Sequence, residues 1–338
     1  MGDQSFQIGR DNTWSAGFSA ALPLVNVQLW KAIQITGMDV ELAVEKAKGS
    51  RQDLVAQVQQ AFYGVLLAKD LYNVYKENYD NASDNYNDVK GKFDTGLASK
   101  FELLSSEVAM KNAEPNMYDA QNNIVLANWK LKALIGIDLD QNIACEGSLA
   151  DYESVVRDVA SYDTSVENNS TVKQLEIQER MLSKNYEMQL AKYYPTLSAQ
   201  VGYNWIAMED NFKFNNYKWN PYSTGTIALT IPIFSGGQRY NELRKTRVQQ
   251  EQLALQKEDA IRQLEISVMQ VLNSLETCLK QYDAAQKTIE AAQNGYEIAK
   301  SRFDVGSGTL LELQDAQLGL LQARLNLNQS VYTYMTLK

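Results

Sequence analysis

The sequence contains no histidine, only five prolines and only two cysteines in 338 residues. Without histidine it lacks the commonest general acid–base group and the commonest metal ligand. No cofactor or metal is expected, and an enzyme is the least favoured class. Scarce proline leaves long stretches free to run as uninterrupted helix. Cys145 follows Ile143-Ala144 in a loop-like stretch, whereas Cys278 sits in an apolar stripe, so nothing indicates a disulfide. No apolar run reaches the roughly 18 residues that a transmembrane helix needs. Residues 1–20 have neither the basic start nor the apolar region of a signal peptide. Net charge is −9, with acids and bases interspersed and no basic stripe. That argues against nucleic acid and against a polybasic membrane anchor.

What the chain does contain is one pattern written twice, 210 residues apart. Phe93-Asp94-Thr95-Gly96 returns as Phe303-Asp304-Val305-Gly306. Upstream of the first copy a stripe of apolar or small residues runs from Val58, Ala61, Val65 and Ala68 to Phe93. Its counterpart runs from Val268, Val271, Leu275 and Cys278 to Phe303. Both step by three and four, which is the spacing of a coiled-coil seam. Downstream of each tip a second stripe returns, from Leu103 to Leu134 and from Leu313 to Val331 or Ser330. The chain is therefore expected to use one helical hairpin twice. Pro115 interrupts the first return helix, where it removes a backbone donor and should bend it.

Three segments alternate with period two instead. Trp14, Ala16, Phe18, Ala20 and Leu22 share one face of the first, opposite Ser15, Gly17, Ser19 and Ala21. Leu197, Ala199, Val201, Tyr203 and Trp205 share a face of the second. Ile227, Leu229, Ile231 and Ile233 share a face of the third, opposite Thr226, Ala228 and Thr230. Each has about the length of a tilted transmembrane strand, with one apolar face and one small or polar face. A half-buried sheet on a soluble core has the same periodicity. These strands, however, feed directly into very long helices. Aromatic residues gather at both sets of strand ends: Trp14, Trp205, Tyr217, Trp219 and Tyr222 at one, Trp30, Tyr193, Tyr194 and Phe234 at the other. A polar loop with Asp210, Asn211, Asn215, Asn216 and Asn220 joins the last two strands.

The expected organisation is a first repeat over 1–135, a linker or equatorial region over 136–165, and a second repeat over 166–338. The first repeat holds a strand about 13–29, a helix 33–93, a tip 94–98 and a helix 99–135. The second holds a helix 166–192, strands about 195–207 and 222–234, a helix 238–304, a tip 305–308 and a helix 309–337.

That order, together with Tyr194-Pro195-Thr196-Leu197-Ser198, Ile231-Pro232-Ile233-Phe234-Ser235-Gly236-Gly237 and Phe303-Asp304-Val305-Gly306, resembles the TolC-like outer-membrane efflux protein family. The resemblance implies a mainly α fold with β strands, in which long antiparallel coiled-coil hairpins continue into transmembrane β-barrel strands. It implies two internal repeats and a homotrimer forming one α/β-barrel tunnel across the periplasm and the outer membrane of a Gram-negative bacterium. The implied role is a passive export conduit of a tripartite efflux or type I secretion system. Implied partners are outer-membrane lipid, a periplasmic adaptor (membrane fusion) protein and, through it, an inner-membrane transporter. One departure stands out. The first copy lacks the rising helix and first strand that the family pattern has, so the chain is expected to be N-terminally truncated.

Asp94-Thr95-Gly96 mimics an aspartic-protease triplet, but its repeat reads Asp304-Val305-Gly306 at a helix end, so a glycine C-cap is the better account. Ser99-Lys100-Phe101-Glu102 and Thr309-Leu310-Leu311-Glu312 both read as capping boxes. By the resemblance, Glu312 and Asp315, with Glu102 from the first hairpin, also line the periplasmic channel entrance. Asp315 has no capping duty. The exposed turns Thr95, Gly96, Leu97, Val305, Gly306 and Ser307 are expected to contact the adaptor. The family's entrance lock can involve a tyrosine and an arginine. Phe303 and Gly308 stand at the matching positions, so such a lock must be absent or built differently. The rival readings are a soluble coiled-coil scaffold, which would stay in solution without detergent, and an adaptor subunit, which would carry a single hairpin.

Overall fold

The structure, a computed structural model, describes residues 10–156, 164–210, 212, 215 and 217–338. Residues 157–163 of the expected linker, together with Asn211 and Asn216 of the polar loop, lie outside the described residues. The elements are β1 (Asn12–Val25), α1 (Val27–Asp94), α2 (Lys100–Ile135), a 3-10 turn (Leu149–Tyr152), α3 (Glu153–Val156), α4 (Ser170–Ala191), β2 (Thr196–Glu209), β3 (Asn220–Thr230), α5 (Gln238–Asp304) and α6 (Leu310–Leu337). Among the described residues the chain is mainly helical with one small antiparallel sheet. Among the described residues no helix is long and apolar enough to cross a membrane. The chain divides into two compact units, one of residues 1–47 and 167–261, the other of residues 48–166 and 262–338.

In the first unit the sheet order is β1-β2-β3, antiparallel throughout. The register sets Phe18 opposite Tyr203, Leu22 opposite Ala199, Ala199 opposite Ile227 and Leu197 opposite Leu229. Directly paired residues share a face, so the three apolar sides form one continuous surface. The other face carries Ser15, Gly17, Ser19, Asn204, Gly202, Gln200, Thr224 and Thr226. Two strand limits differ from expectation. The first strand ends at Val25 rather than near 29, and α1 starts at Val27 rather than 33. The cause is Asn26, whose side chain accepts the Leu29 N–H at 3.0 Å and so caps the helix. The third strand ends at Thr230 rather than 234. Pro232 has no ladder donor. Arg239 turns the chain there, donating to the Pro232 and Lys192 carbonyls at 3.1 and 3.4 Å and lying over the Tyr193 ring.

Below the sheet in sequence terms, α4 packs between the first part of α1 and the first part of α5. Lys31 meets Glu187 at 2.6 Å, Arg180 meets Glu41 at 2.5 Å, and Ser170 donates to the Glu45 carbonyl. On the other side Lys257 reaches Glu176 and Glu179. The faces of α1 and α5 turned away from α4 carry Ile33, Val40 and Val44, and Val248 and Leu255, all exposed.

In the second unit the heptad stripes become the packed seam. Ala61, Val65 and Leu131 form one cluster; Val89, Leu103, Tyr296, Phe303, Leu310, Leu313 and Leu320 form another. Val271 is the exception in its stripe and is exposed. A third cluster binds the segment after α2 to the hairpins. Leu149 and Val156 are fully buried against Leu66 of α1, Leu275, Cys278 and Tyr282 of α5, and Val331 and Tyr334 of α6. Asp70 accepts the Leu149 N–H at 2.8 Å, Lys69 donates to the Cys145 carbonyl, and the Tyr282 hydroxyl donates to Glu153 at 3.3 Å. Both cysteines are free thiols. The helix α2 continues through Pro115.

Candidate entrance and tip surface

Each hairpin turns at a glycine that only a left-handed backbone can serve. Gly96 has φ 78° and Gly306 φ 75°. At the first tip the Leu97 N–H bonds the Lys92 carbonyl at 2.7 Å and the Gly96 N–H bonds Phe93 at 2.9 Å. At the second, Ser307 bonds Arg302 at 2.8 Å and Gly306 bonds Phe303 at 3.1 Å. These are paired Schellman caps, which close the last carbonyls of α1 and α5. The next helix starts at once with a capping box at each tip. Glu102 accepts from the Ser99 N–H at 2.6 Å while the Ser99 hydroxyl accepts from Glu102. Thr309 and Glu312 repeat this at 3.0 and 3.2 Å.

The six turn residues therefore sit in rigid frames. Leu97 and Val305 are 81% and 78% exposed and have no apolar duty in the chain. Thr95 and Ser307 spend their hydroxyls on the carbonyls of the preceding turn. Among the acidic residues the environments differ. The Ser99 amide, then its hydroxyl, hold the Glu102 carboxyl below its ordinary value. Glu312 is exposed and lies 3.7 Å from Arg302 in addition to its cap. Asp315 is exposed, one turn further along α6.

The two tips touch. The Lys92 ammonium lies 4.0 Å from the centre of the Phe303 ring and 3.4 Å from its carbonyl. Phe303 is thus held by a cation from the first hairpin, with no hydroxyl needed. Further along, Gln317 is buried and donates to Asn78 at 3.0 and 3.1 Å while accepting from Asn85 at 3.2 Å. Arg324 pairs with Glu77 and reaches Gln293 at 3.1 Å. Ser105 and Gln314 meet at 3.5 Å. Sequence reasoning missed Lys92, Gln317 and Arg324. Only the repeat offered a hint, since position 92 and its counterpart 302 are both basic.

The chain has relatives among known proteins. The family model described as Outer membrane efflux protein matches residues 4–137 and 161–336. Alkaline protease secretion protein AprF of Pseudomonas aeruginosa is 22% identical over 255 residues, covering 73% of this chain and 52% of that protein. Outer membrane protein TolC of Vibrio cholerae is 20% identical over 235 residues, covering 66% of this chain and 51% of that protein. The chain thus spans about half the length of the curated relatives it matches. Among solved structures, the outer membrane protein VceC from Vibrio cholerae superposes with a TM-score of 0.76 at 12% identity, over 96% of this chain and 84% of that one.

Proposed function

The chain belongs to the outer membrane efflux protein family, and from that premise we propose that it is one subunit of a trimeric export conduit in the outer membrane of a Gram-negative bacterium. The observation that carries this reading is the sheet. Phe18 and Ile227 on its apolar face are 77% and 76% exposed, and Leu22, Val201 and Leu229 are exposed beside them. Water does not stabilise so large an apolar patch, whereas lipid does, with the opposite polar face left to line a wet lumen. The same exposure disfavours the soluble-scaffold reading.

Three features support the trimer. Among the described residues β1 and β3 each pair on one side only, and an open sheet edge is not tolerated in lipid. The exposed stripes of Ile33, Val40 and Val44 on α1 and Val248 and Leu255 on α5 lie opposite the α4 contacts. Two different free edges on one chain favour a head-to-tail ring rather than a two-fold pair. In that ring two repeats per copy, joined by the segment around 136–165, continue as the wall of a periplasmic tunnel. Glu312, Asp315 and Glu102 stand near its narrow mouth as repeated carboxylates, which attract cations. The turns Thr95-Gly96-Leu97 and Val305-Gly306-Ser307 present Leu97 and Val305 to a periplasmic adaptor, which links the conduit to an inner-membrane transporter. The conduit is passive; opening is a shift of population at the tips, stabilised by adaptor contacts.

The test is deletion of the gene in its host, with complementation by the intact protein and by Gly306→Glu. The intact protein should fractionate with outer membrane and restore export. The tip variant should reach the same fraction as a trimer and fail to export. Recovery of the intact protein in the soluble periplasmic fraction would refute the reading.

A further inference from the structure

We propose that neighbouring copies in the trimer are joined by a second, chemically matched version of the contact that joins the two hairpins of one chain: Lys287 pairs with Glu114 of the next copy, and Arg302 covers the next copy's Phe93. The inference rests on the trimeric reading above and adds the residues of the joint.

The contact inside one chain is the template. There α1 meets α6 through Glu77 and Arg324 and through Asn78 and Asn85 with Gln317. It meets α5 through Lys92 over Phe303. A ring assembled from two-hairpin chains alternates two joints, one inside each chain and one between chains. If the hairpins are repeats, the second joint is the first one shifted by the repeat. Residues of α1 move to α5, and residues of α6 or α5 move to α2 or α1 of the neighbour, each by 210 positions.

The shift preserves the charged and aromatic contacts of the template. Glu77 becomes Lys287 and Arg324 becomes Glu114, so the ion pair survives with its signs exchanged. Lys92 becomes Arg302 and Phe303 becomes Phe93, so a cation still faces an aromatic ring. Asn78 becomes Thr288 and Gln317 becomes Glu107, which keeps the positions polar, although the Thr288 hydroxyl donates to the Ala284 carbonyl of its own helix at 2.8 Å. The match has limits: the Asn85–Gln317 contact maps to Gly295 and Glu107, and the Ser105–Gln314 contact maps to Asp315 and Leu104, and neither can be repeated.

The surfaces involved are open in the single chain. Lys287, Thr288, Gly295 and Arg302 are exposed along one side of α5, where Ala284 and Ala291 keep the face small. The face of α2 that would meet it carries Leu104, Val108, Tyr118, Val125 and Trp129, all exposed and at heptad-compatible spacing. Large side chains on one helix facing small ones on the other permit close packing. Phe303 is 8% exposed under its lysine, while Phe93 is only half-buried. Local partners exist: Glu114 lies 3.3 Å from Lys111 on its own helix, Arg302 donates to the Ser307 carbonyl at 3.2 Å and lies 3.7 Å from Glu312, and Lys100 lies 5.6 Å from the Phe93 ring centre. None of these prevents a second partner.

The experiment uses the full-length protein extracted from outer membranes in detergent. With Cys145→Ser and Cys278→Ala in place, Lys287→Cys combined with Glu114→Cys should give covalent dimers and trimers on oxidation, and either cysteine alone should give none. Separately, Lys287→Glu or Glu114→Lys should lower the trimer association constant by up to about a hundredfold, about five-fold for each of its three joints, and the exchanged pair Lys287→Glu with Glu114→Lys should restore it. A trimer that forms without cross-linking and without rescue by the exchange overturns the joint and leaves the trimeric reading standing. An unmodified protein that forms no trimer overturns both.

Discussion

Replacing Lys92 with methionine keeps the aliphatic stem against the Phe303 ring and removes the charge above it. The ammonium lies 4.0 Å from the ring centre and is half-buried, so the contact holds the two tips of one chain together by about 1 kcal/mol. Its hydrogen bond to the Phe303 carbonyl is long, at 3.4 Å, and adds little. If the tips of all three copies part together, the loss is about 3 kcal/mol, or roughly a hundredfold in the open-to-closed ratio. Single-channel recording of the full-length trimer in a lipid bilayer reads that ratio directly. Lys92→Met should raise open probability strongly without changing the conductance of the open state. Phe303→Leu removes the ring, keeps an apolar group in the Val89–Leu313 cluster, and should act in the same direction. Unchanged open probability in both variants would show that this contact persists in the open state and plays no part in gating.

Asp315→Asn, and more so the pair with Glu312→Gln, should relieve block of the channel by multivalent cations added on the periplasmic side. That block should also weaken as salt rises; block that persists in the pair would leave Glu312 with its capping role alone. Glu102 has its carboxyl held low in the folded state, so it contributes stability above the ordinary carboxylate range that is lost as pH falls through its folded value. The stability gap between wild type and Glu102→Gln should therefore narrow on acidification below about pH 4; a gap that widens there would contradict the cap geometry. Leu149→Ala empties a fully buried site among Leu66, Tyr282 and Tyr334 and should cost about 3–5 kcal/mol in denaturant unfolding of the second unit. A cost under about 1 kcal/mol would mean that the segment after α2 is not part of that core.

The parts legible in the sequence were those with a period. Heptad steps from Val58 to Phe93 and from Val268 to Phe303 mark residues that pack in the seam, with Val271 the one left exposed. Period-two alternation in β1, β2 and β3 marks faces that the register brings onto one side of the sheet. The caps at Ser99 and Thr309 were legible because a capping box is a local four-residue pattern. The boundary at Asn26 was missed because apolar residues from Leu24 to Trp30 read as more strand, and one side-chain bond to the Leu29 amide overrides them. Contacts between the hairpins were illegible for a different reason. Gln317 with Asn85 and Arg324 with Glu77 join positions more than 200 residues apart, and an isolated polar residue on a long helix carries no periodic signal.

The most direct test of the account is cryo-electron microscopy of the full-length protein extracted from outer membranes. The account predicts a threefold particle in which the sheets of the three copies close into one ring. That ring should continue into a helical tunnel with a water-filled lumen narrowing at Asp315. A two-fold or monomeric particle, or a solid helical bundle with no lumen, would contradict it.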